Sequence, residues 1–287
     1  MHSPVSSPSG SAGETRGHFL NRRGLRLSYA LHRPAGASTR AWLFCNALLE
    51  EKTFSHRTTV NLARCLAAMG QPVLRFDYAG TGDSEDLPVA ARGEPPTWTD
   101  DVADAAGFLR SQVAFDSLHL LALRSAALVA ASAAASVAAT RLLLLEPTPD
   151  GQAWLQEGLR ANLTTQLSCF KKVVETREQM AARLHSGDTV NVHGHEIDAG
   201  FSGLVGGWRL AELLELSRAR ADLVHLSRKG GAAAPAAWQT LATGGQVTLH
   251  ACHAPPMWAE SKQHDDAPAA LIALLEKLAA DAAGDAR

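Results

Sequence analysis

The turn Ala122-Leu123-Arg124-Ser125-Ala126-Ala127 joins an apolar run to an alanine-rich stretch. A strand-to-helix turn that presents a nucleophile reads small-x-nucleophile-x-small, because flanking side chains would clash in the tight bend. Two registers fit. Ala122 to Ala126 has small ends and puts Arg124 at the nucleophile position. Leu123 to Ala127 puts Ser125 there but needs bulky Leu123 where a small residue belongs. Sterics favour the first register. A guanidinium stays protonated and cannot attack a carbonyl, so that register implies lost or different chemistry. In the second, Ser125 attacks; a serine that merely starts the helix is the competing structural reading.

A serine nucleophile needs a base and an acid. His250 and His253 flank the end of the run QVTLHA, and His253, in CHAPPMW, is the better placed base; a solvent-facing loop histidine is the alternative. The acid is expected after Asp222–Leu226, but Ser227-Arg228-Lys229-Gly230-Gly231 offers no carboxylate. Glu146 and Asp150 are the substitutes, or else a cap and a turn residue. Cys45 and Asn46 follow another apolar run, where an oxyanion-hole amide is usually supplied; the Cys45 thiol could react, or simply fill a small buried space. His193-Gly-His195-Glu196 puts two histidines on one strand face, but no further Cys or His at metal spacing is near. A solvated loop is the simpler reading, and neither metal nor cofactor is expected.

These residues need elements to hold them. Leu25–His32 alternates apolar and polar residues as an edge strand does. Short apolar runs at 41–45, 72–77, 118–123 and 141–145 alternate with helical patterns at 55–69, 97–113 and the alanine-rich stretch after Ser125. This alternation predicts parallel βαβ units. It breaks after Leu145: residues 151–186 and 208–219 read as helices, with a hairpin or loop at 190–201. It resumes with strands at 222–226 and 246–251 and a last helix at 268–282. Residues 147–218 are therefore expected to form a helical cap, with Leu155, Leu159 and Leu163 on its inner face. The core is expected at 18–146 and 219–287, and Met1–Gly17, rich in Ser, Gly and Pro, as a disordered lead-in rather than a signal peptide. In an open parallel sheet, ligands bind beyond the carboxyl ends of the strands, where the loops carrying Cys45, Arg124, Glu146 and His253 converge.

The net charge of −2 gives no basic footprint for nucleic acid. The longest apolar run, 126–139, is too short to span a bilayer. Four dispersed cysteines fit reduced thiols in a cytosol better than a disulfide framework. Asp83 and Ser84, in a Gly-rich turn, are expected to be structural.

The stretch Ser55–Asp86 (SHRTTVNLARCLAAMGQPVLRFDYAGTGDSED) resembles the core of the exosortase A system-associated hydrolases, bacterial proteins usually linked to exopolysaccharide loci and grouped with serine aminopeptidase-like hydrolases. Pro96 through Val102, Glu146-Pro147 through Asp150-Gly151, and Pro255-Pro256-Met257-Trp258 resemble three further motifs of that family. Some members carry Gly-Leu-Arg-x-Gly where this chain has Ala122-Leu123-Arg124-Ser125-Ala126. The resemblance implies an α/β-hydrolase fold: a mostly parallel sheet, helices on both faces and a helical cap. Two functions are then open. One is a hydrolase or acyltransferase of ester, thioester or amide bonds, acting on a small-molecule, acyl or sugar substrate with Ser125, His253 and Glu146 or Asp150. The other is a non-hydrolytic protein that holds an anion through Arg124, unless Glu50, Glu51 or Glu146 pairs with that arginine first. Trp258, with Cys45, Asn46, Glu50 and Glu51, is expected to line the ligand site.

Overall fold

The computed structural model describes residues 13–91, 93–229, 232–259 and 268–281. Among them, eight strands form one sheet. These are β1 (Gly13–Leu20), β2 (Arg26–Arg33), β3 (Arg40–Cys45), β4 (Val73–Phe76), β5 (Ser117–Leu123), β6 (Ala139–Leu145), β9 (Arg220–Ser227) and β10 (Val247–His253). Their order is β1-β2-β4-β3-β5-β6-β9-β10. From β4 to β10 all neighbours are parallel, whereas β1 and β2 run antiparallel at one edge. The six core strands read from sequence all appear, shifted by one or two residues at their ends. β1 was not foreseen: it takes up Gly13–Gly17, which the sequence reading left in a lead-in, while residues 1–12 lie outside the described residues. Its exposed, polar pattern gives no alternation to read.

The helices α1 (Glu50–Ala68), α2 (Trp98–Gln112), α3 (Ala126–Ala134), α8 (Ala236–Ala242) and α9 (Ala269–Asp281) connect the strands and cover both faces. One core lies on each side of the sheet. Leu43, Leu74, Leu120 and Leu142 face α2 and α3, and Phe44, Leu121, Leu143 and Val224 face α1 and α9. The central strands are continuous apolar runs because both of their faces are covered. α3 is buried nearly all round, which suits its small, mostly alanine side chains.

Between β6 and β9 the chain forms α4 (Gly151–Phe170), α5 (Arg177–His185), the hairpin β7 (Val190–Val192) and β8 (His195–Ile197), α6 (Ala199–Gly206) and α7 (Leu210–Ser217). The two ends of this insertion are tied together: Gly151 N–H donates to the Trp208 carbonyl and Leu210 N–H to the Pro149 carbonyl. A side chain at Gly151 would collide with the Val205 carbonyl, its Cβ falling 1.8 Å away, so glycine is required for α4 to meet α6. Leu155 and Leu159 are buried on the inner face of α4, and Leu163 packs partly buried against the same core. In the turn after β4, Ser84 is buried; its hydroxyl donates to the Asp77 carbonyl and accepts from Ser28 N–H, fixing the loop to β2. Asp83 contributes through its backbone N–H, donated to the Asp77 carboxylate.

Two buried histidines contribute to the loss of stability in acid. Burial, reinforced by Arg141 and Arg40, lowers His119 to about 4, and burial with Arg75 does the same to His32. Both folded values lie below the unfolded 6.5. Between pH 6.5 and about 4 the unfolded chain therefore binds more protons at these sites, and stability falls as pH falls through that window. The melting temperature of His119→Gln should accordingly drop less between pH 7 and pH 5 than that of the wild type, measured by calorimetry; an equal drop would exclude His119 as a contributor.

Candidate functional site

Three segments meet beyond the carboxyl ends of β3 and β5: the loop after β3, the β5–α3 turn, and α4. At the β5–α3 turn, the residue in the left-handed region is Arg124, with φ of 52°. Ala122 and Ala126, either side of it, are fully buried, so small residues are needed there. Ser125 is already helical, with φ −56° and ψ −33°, and its hydroxyl makes no cap bond. The left-handed position, which the nucleophile occupies in a serine-hydrolase elbow, thus belongs to arginine.

Glu51, in the first turn of α1, dominates what surrounds this turn. Its Oε2 accepts from the Ser125 hydroxyl at 2.6 Å and from Ser125 N–H at 3.3 Å. Its Oε1 accepts from Arg124 Nε at 3.0 Å and from Trp154 Nε1 at 3.1 Å. Leu48 N–H donates back to the Ser125 oxygen at 3.1 Å. Arg124 Nη2 reaches Glu157 of α4 at 3.1 Å, and its guanidinium lies 5.2 Å from the Trp258 ring centroid. Burial would lower the Arg124 pKa, but the two glutamates outweigh it and hold the group above its ordinary value. Arg124 is therefore charged and paired, and the internal partner is Glu51, joined by Glu157.

The other expected residues lie as follows. Glu50 pairs with His193 of the β7–β8 turn. Trp258 joins Arg124. Glu146 accepts from His225 Nδ1 at 3.0 Å and from Leu226 N–H at 2.7 Å, locking the ends of β6 and β9 together rather than reaching His253. Asp150 caps α4 by accepting from Ala153 N–H at 2.8 Å and pairs with Arg209 at 3.1 Å. His253 is exposed and bonds the Arg228 carbonyl at 2.9 Å. His250 pairs with Asp222, which also holds Arg141; His250 and Arg141 outweigh burial and keep that carboxyl below its ordinary range. Asn46 donates to the Phe76 carbonyl and to Asp77, clipping β3 to β4. Cys45 is buried, and burial pushes its thiol up to about 12, which removes the thiolate a reactive cysteine needs. The geometry thus gathers Arg124, Ser125, Glu50, Glu51 and Trp258, and leaves Glu146, Asp150, His253, Cys45 and Asn46 in separate structural contacts.

Sequence reasoning missed Trp154, Glu157 and His193. Trp154 and Glu157 sit three residues apart on one face of α4, but nothing in the sequence says which face meets the elbow. His193, expected in a solvated loop, is tied to α1 through Glu50. Beside this cluster lies a cavity of about 430 Å³, lined by Phe54, Trp154, Trp258, Glu157, His193 and Thr164 among others.

No family model and no curated protein matches this chain. Solved structures do resemble it. Est1E of Butyrivibrio proteoclasticus with ferulic acid bound shares 14% identity with a TM-score of 0.58 over 91% of this chain and 95% of its own. The esterase domain of a Rhodothermus marinus protein shares 17% with a TM-score of 0.57, over 93% and 98%. DcsB in complex with a substrate analogue shares 13% with a TM-score of 0.60, over 94% and 99%. The chain has the α/β-hydrolase fold. At these identities the likeness carries the fold and not the chemistry. Among the described residues no helix is long and apolar enough to cross a membrane.

Removing the Glu51 carboxylate would leave Arg124 with Glu157 alone and strand the buried Ser125 and Trp154 donors. Glu51→Ala should therefore lower the unfolding free energy by about 3 kcal/mol, the scale for breaking a buried ion pair from one side, read from urea denaturation. A loss under ~0.5 kcal/mol, the size of an ordinary surface change, would show that the pair does not hold the elbow.

Proposed function

We propose that this chain is a non-hydrolytic α/β-hydrolase-fold protein that binds a small molecule in the cavity beside the elbow. The observation that carries this reading is the position of Glu51. An oxyanion hole in this fold uses the N–H after the nucleophile and an N–H from the loop after β3. Here Ser125 N–H is bonded to the Glu51 carboxylate, and Leu48 N–H is bonded to the Ser125 hydroxyl. A carboxylate beside these donors repels the anion that acyl transfer must stabilise. The Ser125 hydroxyl is fully buried and donates to a carboxylate; among the described residues no histidine takes its proton. Arg124 at the elbow cannot replace it as nucleophile. With Arg124 already paired, holding an anion through it would mean displacing Glu51 or Glu157.

Motif resemblance to the exosortase A system-associated hydrolases, including arginine at the same turn position, supports treating Arg124 as part of a lineage with this altered elbow. A link to exopolysaccharide production and a cytosolic location rest on that resemblance and on the unpaired cysteines. Division into a core on either side of a 147–218 cap, with the core extended by β1 back to Gly13, is supported by the β6–β9 insertion closing on itself at Gly151 and Trp208.

The test is labelling with a fluorophosphonate probe followed by peptide mass spectrometry. The expected result is no adduct on Ser125 in the native protein, with an active serine esterase labelled in parallel. An adduct on Ser125 would overturn this reading and return the chain to the enzymes that cleave or transfer ester, thioester or amide acyl groups.

A further inference from the structure

The far end of α4 carries apolar side chains that the rest of the fold leaves uncovered. Every residue from 167 to 174 is exposed. Among the described residues seven large apolar side chains are exposed, and four of them lie in this stretch: Leu167, Phe170, Val173 and Val174. Phe170 and Val174 are 62% and 60% exposed. Exposed apolar residues scattered singly need no explanation, but a cluster of them marks a surface that meets something. Phe170 lies about 20 Å along the helix from Glu157 at the elbow, by the helical rise, so this surface is no part of the site described above.

The tip has a defined shape. α4 stops at Lys171, which is left-handed with φ of 59° and donates its N–H to the Leu167 carbonyl. Gln166, buried in the last turns of α4, holds the chain that follows. Its Oε1 accepts from Val174 N–H at 2.7 Å and from Glu175 N–H at 2.9 Å, and its Nε2 donates to the Glu175 carbonyl at 3.0 Å. α5 then begins at once, with Thr176 and Gln179 as a capping box. One buried side chain thus folds the chain back and keeps Val173 and Val174 at the same end of the cap as Leu167 and Phe170. Lys171 and Lys172 stand among these apolar side chains. The carboxylates next in the chain are taken: Glu175 pairs with Arg183 at 3.1 Å and Glu178 with Arg177 at 2.7 Å. Lys171 Nζ donates to the Ser168 carbonyl, which leaves its charge uncompensated, and among the described residues Lys172 has no acidic partner. The tip is therefore locally positive on a chain of net charge −2.

Its partner has to be negative and has to receive a convex apolar end, since eight consecutive exposed residues offer no groove. A second copy of this chain docked through a two-fold contact would set lysines against lysines, which like charges oppose. A nucleic-acid backbone would match the charge and leave the apolar side chains in water. A bilayer with anionic headgroups meets both demands: apolar side chains enter the boundary between headgroups and acyl chains, and the lysines stay level with the phosphates. We infer that residues 167–174 dock this protein on the surface of an anionic lipid bilayer. The inference is independent of how the elbow is read.

Cosedimentation of the full chain with vesicles tests it. Each lysine at an anionic surface contributes roughly fivefold to binding. The wild type should therefore bind vesicles of equal parts phosphatidylcholine and phosphatidylglycerol roughly tenfold or more tightly than vesicles of phosphatidylcholine alone, and high salt should weaken that binding. Lys171→Gln with Lys172→Gln should remove the preference. Phe170→Ser with Val174→Ser should weaken binding roughly tenfold, the scale of one apolar side chain withdrawn from an apolar medium. All four side chains are exposed, so melting temperatures should stay unchanged. Cys169 lies within the tip and is exposed, whereas Cys45 and Cys252 are buried; in a Cys65→Ser background, a nitrobenzoxadiazole label on Cys169 should shift its emission to the blue on the mixed vesicles. No binding to the mixed vesicles, equal binding to both kinds, unchanged binding in either double variant, or an unshifted label would each overturn the assignment. A dimer in sedimentation velocity that Phe170→Ser splits would overturn it too, giving the tip to a second copy.

Discussion

One carboxylate organises the carboxyl edge of this sheet. Glu51 accepts four hydrogen bonds from three residues: the Arg124 guanidinium, the Ser125 amide and hydroxyl, and the Trp154 indole. These donors come from the β5–α3 turn and from α4, while the acceptor belongs to α1. A largely buried carboxylate is tolerable only when paired and well bonded, and Glu51, its side chain 13% exposed, meets both conditions. The arrangement is mutually dependent. Arg124 sits in a left-handed conformation at a turn with no room for larger neighbours, and its charge is held by Glu51 within and Glu157 above. The pair therefore fixes three things together: the conformation of the turn, the docking of α4, and the occupation of the amide donors that would otherwise face a reacting carbonyl.

The β6–β9 insertion is fastened to the core by polar contacts at several points, with apolar burial between them. At its base, Asp150 caps α4 and pairs with Arg209 at 3.1 Å, where the entering and leaving chains meet. Over the elbow, Glu157 reaches Arg124; further out, His193 reaches Glu50. Between these points Trp154, Leu155, Leu159 and Phe201 extend the main core upward from the sheet, and Trp98 packs edge-on against Phe201 at 5.2 Å. An insertion held at several points over the strand ends encloses space between them, and the cavity beside the elbow is the result.

The same contacts are the ground for proposing a different chemistry on a shared fold. The fold is shared with solved structures that include esterases. At the turn itself a cation holds the left-handed position, and its counter-ion bonds the amide and hydroxyl of the next residue. Such features are local and leave the strand order and the two cores intact, because α/β sheets place their chemistry on loops beyond the strand ends.

The strands and helices of the core were legible in the sequence because burial on both faces writes itself as short apolar runs, and helices as a 3.6-residue stripe. The insertion was legible as a break in that alternation, and the elbow register followed from sterics, since Ala122 and Ala126 can flank the turn and Leu123 cannot. β1 was not legible, because an exposed edge strand carries no apolar alternation. Among the partners, Glu51 was one of three candidates by strand-end position, whereas Glu157 and His193 were not legible. Glu51, Glu157 and His193 lie 73, 33 and 69 positions from Arg124 along the chain, and no local pattern relates them. Propensity and periodicity act over a few neighbouring residues, whereas an ion pair or an oriented histidine depends on how α1, α4 and the β7–β8 turn come together across the end of the sheet. The sequence alone determined that an arginine would sit at the elbow of a mostly parallel sheet; only the tertiary structure decided that Glu51 would neutralise it, because that pairing exists solely in the packing of distant elements.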